Sequence, residues 1–424
     1  MITTGILVMD RAASPLLRSD ELRQWTKVSN SRNLLCLATE YFLLFVLHFT
    51  NVYLIKSGTP WPLLFLFGSF TILMTGCLIH RIGLLGHEAS HGLLHSNRKS
   101  NDLLSDLLCF YPLWSSTDSY RIKHLGHHLH PNDPDLDPNM AGDKTEELYA
   151  RFPMPRPEFI WNYYAKFFWP PFVLSNLFDL FRMLSFGKVP TTSKEVSEEV
   201  EKPNLKERIT RLFKKPTILG MLFLVSYVIM TRILIPTTGF FAVVAGQSFM
   251  LMIALAVWEW IPENLFKNDS RKCYTTPKNR ALIRLLFYTG LITVLAWARV
   301  FSGFHWGNYY LLFWILPLIY VFPYLMLLRE IYQHANLGQG QLDNSRIIHA
   351  DPFTRWVLLG YGNDFHLVHH LYPNIPHYHL RAAHNALMEK STEYRSSIRE
   401  TTGTFQAPEG REPLLDSLSR ADVK

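Results

Sequence analysis

The chain has 424 residues, 48% of them hydrophobic and only 18% charged, and the apolar ones come in long blocks. That clustering fits one polytopic membrane protein better than two or three soluble domains. The net charge of +7 does not point to nucleic acid, because the basic residues flank the apolar blocks instead of forming a patch interleaved with aromatics. Four cysteines, Cys36, Cys77, Cys109 and Cys273, show no CxxC spacing, which argues against a disulfide framework and a thiolate metal site.

Residues 1–33 read as a cytosolic N-terminal segment. Arg11, Arg18, Arg23, Lys27 and Arg32 break up any apolar run there, so no signal peptide is expected. Segments 34–55 and 62–85 follow, each long enough to cross a bilayer, which takes about 20 residues. Gly58-Thr59-Pro60 turns one into the other. The loop from 86 to 216 contains two apolar stretches, 101–114 and 164–186, that read as interfacial helices. Pro170-Pro171 interrupts the second, and a charged, solvated linker over 190–216 comes after it. Four more spans are expected at 217–236, 238–260, 281–300 and 307–328, the first pair turning at Pro236-Thr237-Thr238 and the second between Gly303 and Gly307. The membrane domain runs over 34–397. From 398 to 424 the chain is polar, with Gly403, Pro408, Gly410 and Pro413, and reads as a disordered tail.

Lys and Arg set the orientation. They concentrate in the N-terminal segment and in the loop with Lys267, Arg271, Lys272, Lys278 and Arg280, whereas the hairpin turns hold little beyond Lys56. Both termini and the large loop are therefore expected in the cytoplasm.

Three histidine clusters lie on that same side: His87-Glu88-Ala89-Ser90-His91, His124-Leu125-Gly126-His127-His128 and His366-Leu367-Val368-His369-His370. On a helix, i, i+3 and i+4 share a face, so each cluster aims its imidazoles at one spot. Chance placement of this many histidines would give about 0.03 copies of HxxHH, yet two occur. Eight nitrogen donors exceed the four of a lone zinc and suit two metals. Oxygen chemistry on an unactivated carbon needs a redox metal, and a histidine-rich di-iron centre supplies one. Copper is the competing metal, without a Met or Cys beside the histidines to favour it. Glu330 and His334 share a helix face directly after the sixth span, which makes His334 a ninth nitrogen ligand and Glu330 a supporting carboxylate. Glu88, Asp118 and Asp364 are further carboxylates placed to accept the outer imidazole N–H.

The plainer readings of other histidines stand beside this. His48, His80 and His305 in apolar stretches read as satisfied interfacial residues. His95, His130, His377, His379 and His384 lie close to the clusters but outside their spacing. A proton relay or pH sensor does not call for eight histidines spaced in this way.

HEASH, HLGHH and HLVHH, in that order and membrane context, resemble the three histidine boxes of the membrane fatty acid desaturase superfamily. The words around them agree: Asn97 to Asp102, Arg121, His130-Pro131-Asn132-Asp133-Pro134, and His370-Leu371-Tyr372-Pro373-Asn374-Ile375-Pro376. Arg329 to His334 resembles the segment that supplies one more histidine, and the likeness runs from about 34 to 390. It implies an all-α polytopic helical bundle under a cytosolic helical cap. It also implies two Fe ions held by His87, His91, His124, His127, His128, His334, His366, His369 and His370. Members use O2 and two electrons from a ferredoxin or cytochrome b5 system to desaturate or oxygenate a lipid-like chain.

No His-Pro-Gly-Gly heme motif occurs, so an external electron donor is expected. Box one has three intervening residues, as in acyl-lipid and carotenoid-modifying members, and the six spans exceed the four of better-known members. The expected activity is acyl-chain desaturation. The alternatives are hydroxylation or ketolation of a carotenoid or other small hydrophobic metabolite, and a non-catalytic membrane receptor or metal carrier.

Overall fold

The computed structural model describes residues 16–139, 151–169, 216–266 and 273–419. The linker expected over 190–216 lies outside the described residues up to 215, as does all of the 164–186 stretch beyond 169. Arg11, Lys267, Arg271 and Lys272 also lie outside them.

Six helices are long and apolar enough to span a membrane. They are α1 (Asn30–Lys56), α2 (Trp61–Ser90), α5 (Pro216–Thr237), α6 (Phe240–Trp260), α7 (Pro277–Ser302) and α8 (Trp306–His334). The chain reverses between α1 and α2 at Gly58, whose φ of 71° suits a residue without a Cβ. Gly303 likewise ends α7 in the left-handed conformation. Large apolar side chains such as Phe45, Phe65, Phe241 and Trp260 cover the outside of these helices, inverting the usual soluble arrangement.

Two of the spans run well past the expected limits of 62–85 and 307–328. With 30 and 29 residues, α2 and α8 are about 45 Å long, against a hydrocarbon core of about 30 Å. The surplus turns of both helices emerge at the same end, and these turns carry His87, Glu330 and His334. The two helices approach closely at Gly76, where a Cβ would overlap the side chain of Val321. They pack with α1, while α5, α6 and α7 pack with one another.

The extramembrane layer is mostly helical. Asn97 caps the start of α3 (Arg98–Ser105) by accepting from the Ser100 N–H at 3.0 Å, and one wide π-turn, Asp106–Phe110, continues it. Ser116 caps α4 (Thr117–Leu129). Two short helices, α9 (His366–Leu371) and α10 (Leu380–Lys390), complete the cap over a core of Phe365, Leu367, Val368, Ile375 and Ala383, and Leu17 of the N-terminal segment packs into it.

The polar stretch from 398 is not a disordered tail. Residues Arg399–Thr402 form β2, which pairs in parallel with β1 (Arg346–His349), Ile347 opposite Glu400. The chain then closes with α11 (Leu414–Ser419). Leu414, Leu415 and Leu418 are fully buried against Met154 and Phe159. Average polarity hid this: three leucines on one helix face suffice to dock a segment whose other residues are polar.

Candidate metal centre

The end of α2 presents His87 and His91 one helical turn apart. Arg121 of α4 then fastens the second cluster to the first. Its guanidinium donates to the carbonyls of Ser90 at 2.8 Å and Ala89 at 3.2 Å, the last acceptors of α2, and pairs with buried Asp102. Asn101 adds a second clamp, donating to the Ala89 carbonyl and accepting from the Leu94 N–H. These contacts hold α4 so that His124, His127 and His128 face the end of α2.

The third cluster is brought in from the other side. Gln333, next to His334 on α8, donates to the Asn363 carbonyl at 2.8 Å. Gly362, with φ of 70°, turns the chain into α9, and a Cβ there would lie 2.6 Å from the His377 carbonyl oxygen. Arg81 of α2 donates to the Trp356 carbonyl and pairs with buried Glu40 of α1, which also accepts from the Tyr361 hydroxyl. An ion pair on two spanning helices thus holds the loop that leads to His366.

All nine histidines singled out from the sequence come together, in two groups whose nitrogens lie within 4.8 Å of one another. The first consists of His87, His91, His124, His128 and His369; the second of His127, His334, His366 and His370. The groups cut across the sequence clusters, since both HxxHH segments supply each group. Nε2–Nε2 separations are 2.8 Å for His91–His124, 3.0 Å for His124–His128, 3.1 Å for His128–His369, 2.9 Å for His334–His366 and 3.1 Å for His366–His370. The rings of His128 and His370 stack at 4.3 Å and join the two groups.

Tautomers decide what the second group can bind. The Asp137 carboxylate accepts from His127 Nδ1 at 2.8 Å, and the Asn344 carbonyl accepts from His334 Nδ1 at 2.9 Å. In the neutral form of both rings the inner Nε2 atoms carry lone pairs, and they stand 3.3 Å apart. Two lone pairs so placed repel unless a cation shares them. In the first group, both nitrogens of His87 and the Nδ1 atoms of His128 and His369 are buried without a partner. The donor set thus fits metal ions that prefer imidazole.

Electrostatics keeps the donors ready. Burial and the charge of Arg121 push His91 down to about 3. Burial, then the neighbouring imidazoles, hold His124, His128, His366, His369 and His370 well below the ordinary histidine value. These rings are neutral near pH 7, the form that binds metal. His127 differs: burial pulls it down, but the hydrogen bond to Asp137 and the charges of Glu330 and Asp137 outweigh this and raise it.

The carboxylates sort less simply. Glu330 lies 4.0 Å from His127 Nε2 and accepts from Asn139 at 2.8 Å, at the edge of the second group. Glu88 sits 3.8 Å from His87 Nδ1 and accepts from the His377 N–H. Asp364 does not support an imidazole: it pairs with Arg355 at 2.8 Å and faces Arg381 at 3.9 Å. Asp118 pairs with Arg280 at 3.0 Å. Proximity in sequence misassigned both, because nearby guanidinium groups compete for them. The carboxylate that sequence reasoning missed is Asp137. Its signal was the acidic run Asp133–Asp137 just beyond box two, and Gly126 lets that run close in, since a Cβ there would lie 2.9 Å from Pro138.

The histidines set aside stay outside both groups. His48 contacts Tyr309 within the span, His95 accepts from the Asn97 N–H, and His130 ends α4.

A sequence model of the family described as fatty acid desaturase matches residues 59–282 and 271–402, a stretch that contains all nine histidines. Among characterised proteins, the chloroplastic omega-6 fatty acid desaturase of Glycine max is similar, 29% identical over 115 residues. That alignment covers 26% of this chain and 24% of the plant protein, so the chain spans about a quarter of its relative's length. The chain belongs to the fatty acid desaturase family. It is a multi-pass membrane protein, with buried histidine clusters compatible with a metal site.

Proposed function

We propose that this chain is an O2-dependent di-iron desaturase that introduces a double bond into the acyl chain of a lipid. The carrying observation is the pair of buried imidazole groups, in the second of which Asp137 and the Asn344 carbonyl hold the outer nitrogens of His127 and His334. His87, His91, His124, His128 and His369 would hold one iron, and His127, His334, His366 and His370 the other, with Glu330 beside the second. Bound iron supplies the oxidising power: one O2, two electrons and two protons, with two hydrogens taken from the acyl chain, yield a double bond and two waters.

The residues of the chain do the rest. Asp137 and the Asn344 carbonyl fix ring orientation and raise donor strength. Arg121 and Asp102 keep α4 seated on α2, and the Arg81–Glu40 pair keeps α9 in reach of both. The apolar spans hold the lipid substrate, and burial of the imidazoles keeps bulk water from the reacting chain. The distribution of Lys and Arg supports a cytoplasmic position for both termini and the cap, where an external donor of the ferredoxin or cytochrome b5 class would deliver electrons.

Lipid profiling of cells expressing the chain tests this. New unsaturated acyl chains are expected with the native protein and none with His127→Ala. Equal unsaturation in both would refute the proposal, and an oxygen-bearing product would assign the chain to hydroxylation or ketolation instead.

A further inference from the structure

A third cluster of metal-binding side chains lies apart from the nine histidines, where the C-terminal strand joins the cap. It comprises His349 at the end of β1, His384 in α10 and Glu400 in β2, with donor atoms within 4.8 Å of one another. We propose that these three side chains bind a divalent cation of the zinc class, fastening the C-terminal strand to the cap.

The register makes the cluster. Ile347 stands opposite Glu400 in the parallel pair, so His349, two residues on, projects from the same face as Glu400. His384 Nε2 reaches the same carboxylate oxygen from α10. The separations from Glu400 Oε1 are 3.2 Å to His384 Nε2 and 3.4 Å to His349 Nε2. Tetrahedral zinc with bonds of about 2.1 Å sets its donors about 3.4 Å apart. A charge-assisted hydrogen bond between imidazole and carboxylate closes instead to about 2.7–2.9 Å. The two separations lie nearer the first value than the second.

Two histidines and one glutamate form a recognised zinc donor set that leaves a fourth position for water. Here His349 and Glu400 are partly exposed, 33% and 27%, so a water has access. His384 is buried, and its outer nitrogen meets the hydroxyl of fully buried Tyr394 at 2.9 Å, the outer support that metal-binding imidazoles usually have. The three donors belong to three elements, so a bound ion cross-links them.

The experiment uses full-length, iron-loaded protein in detergent, equilibrated with Zn2+ and freed of loosely held metal. Native protein is expected to carry one zinc per chain more than His384→Ala or Glu400→Gln, with iron content the same in all three. Equal zinc in native protein and both variants overturns the proposal. So does a loss of iron that parallels the loss of zinc, because the zinc then belonged to the nine-histidine centre. A second measurement needs no variant. Opening β2 would take Glu400 away from both imidazoles, so Zn2+ at ten times its Kd should slow tryptic cleavage within residues 395–411 about tenfold. Cleavage at the same rate with Zn2+ and with a chelator also overturns the proposal.

Discussion

The two halves of the membrane bundle look alike in hydropathy and differ in how they are held together. Among the described residues, the polar contacts within the spans α5, α6 and α7 are neutral: Tyr227 meets Thr293 at 2.7 Å, Trp297 donates to Gln247 at 2.9 Å and Gln247 donates to Thr231 at 3.3 Å, with a charged donor only at the edge, where Lys278 reaches the Glu259 carbonyl. In α1, α2 and α8, with the cap above them, buried ions and amides make the joints: Arg81 with Glu40, Arg121 with Asp102, Gln333 with Asn363. Neutral pairs in lipid contribute little, about 0.6 kcal/mol each, so the first half is held mainly by apolar packing. Buried charges cost much if left single and admit few geometries. The half that must position nine side chains is the half built on them.

The largest expected effect comes from the donors themselves. His128→Ala removes an imidazole within reach of both His124 and His369, and its stacking on His370. Product formation should fall to background and iron per chain should drop, as read by lipid profiling and metal analysis. Retention of both would show that the groups are not metal sites.

Arg121→Ala comes next. It leaves buried Asp102 without its cation and with only the Asn101 side-chain N–H at 2.9 Å, a loss of about 3–5 kcal/mol, so the thermal midpoint and the yield of folded protein should fall sharply. An unchanged midpoint would show that Arg121 is not what joins α4 to α2.

Asp137→Asn is smaller. It keeps the shape but weakens the support of His127, for which about a 10–100-fold loss of iron affinity is expected, measured by competition with a chelator. Affinity equal to the native protein's would remove Asp137 from the centre. The smallest change is Thr293→Val in the apolar half, about 0.6 kcal/mol, with iron content unaltered. If that substitution released iron, the contrast between the halves would fail.

How much of this the sequence could tell follows from which contacts are local. The histidines were legible because i, i+3 and i+4 positions share a helix face whatever the rest of the chain does. His334 was legible for a similar reason: it lies one turn beyond Glu330 at the end of an apolar run. The six spans were legible in number, but α2 and α8 proved longer because hydropathy marks the greasy middle of a helix and not its end. The sorting of histidines into two groups depends on how α2, α4, α8 and α9 cross, and no local pattern encodes that. Asp364 and Asp137 show the same limit. Each lies within ten residues of a ligand-type histidine, yet Arg355 claims one and His127 the other. The tail was misread because β2 is stabilised by β1, some fifty residues earlier, rather than by its own residues.

His127 and His128 are neighbours in the chain, but the first turns to one imidazole group and the second to the other. Consecutive residues on a helix diverge by about 100°, so the two clusters sit on either side of a single rotating shaft. Any twist of that shaft toward one cluster carries the opposite donor away from its own. Neither pocket can be tuned alone, and a one-residue insertion ahead of His124 would misdirect both together.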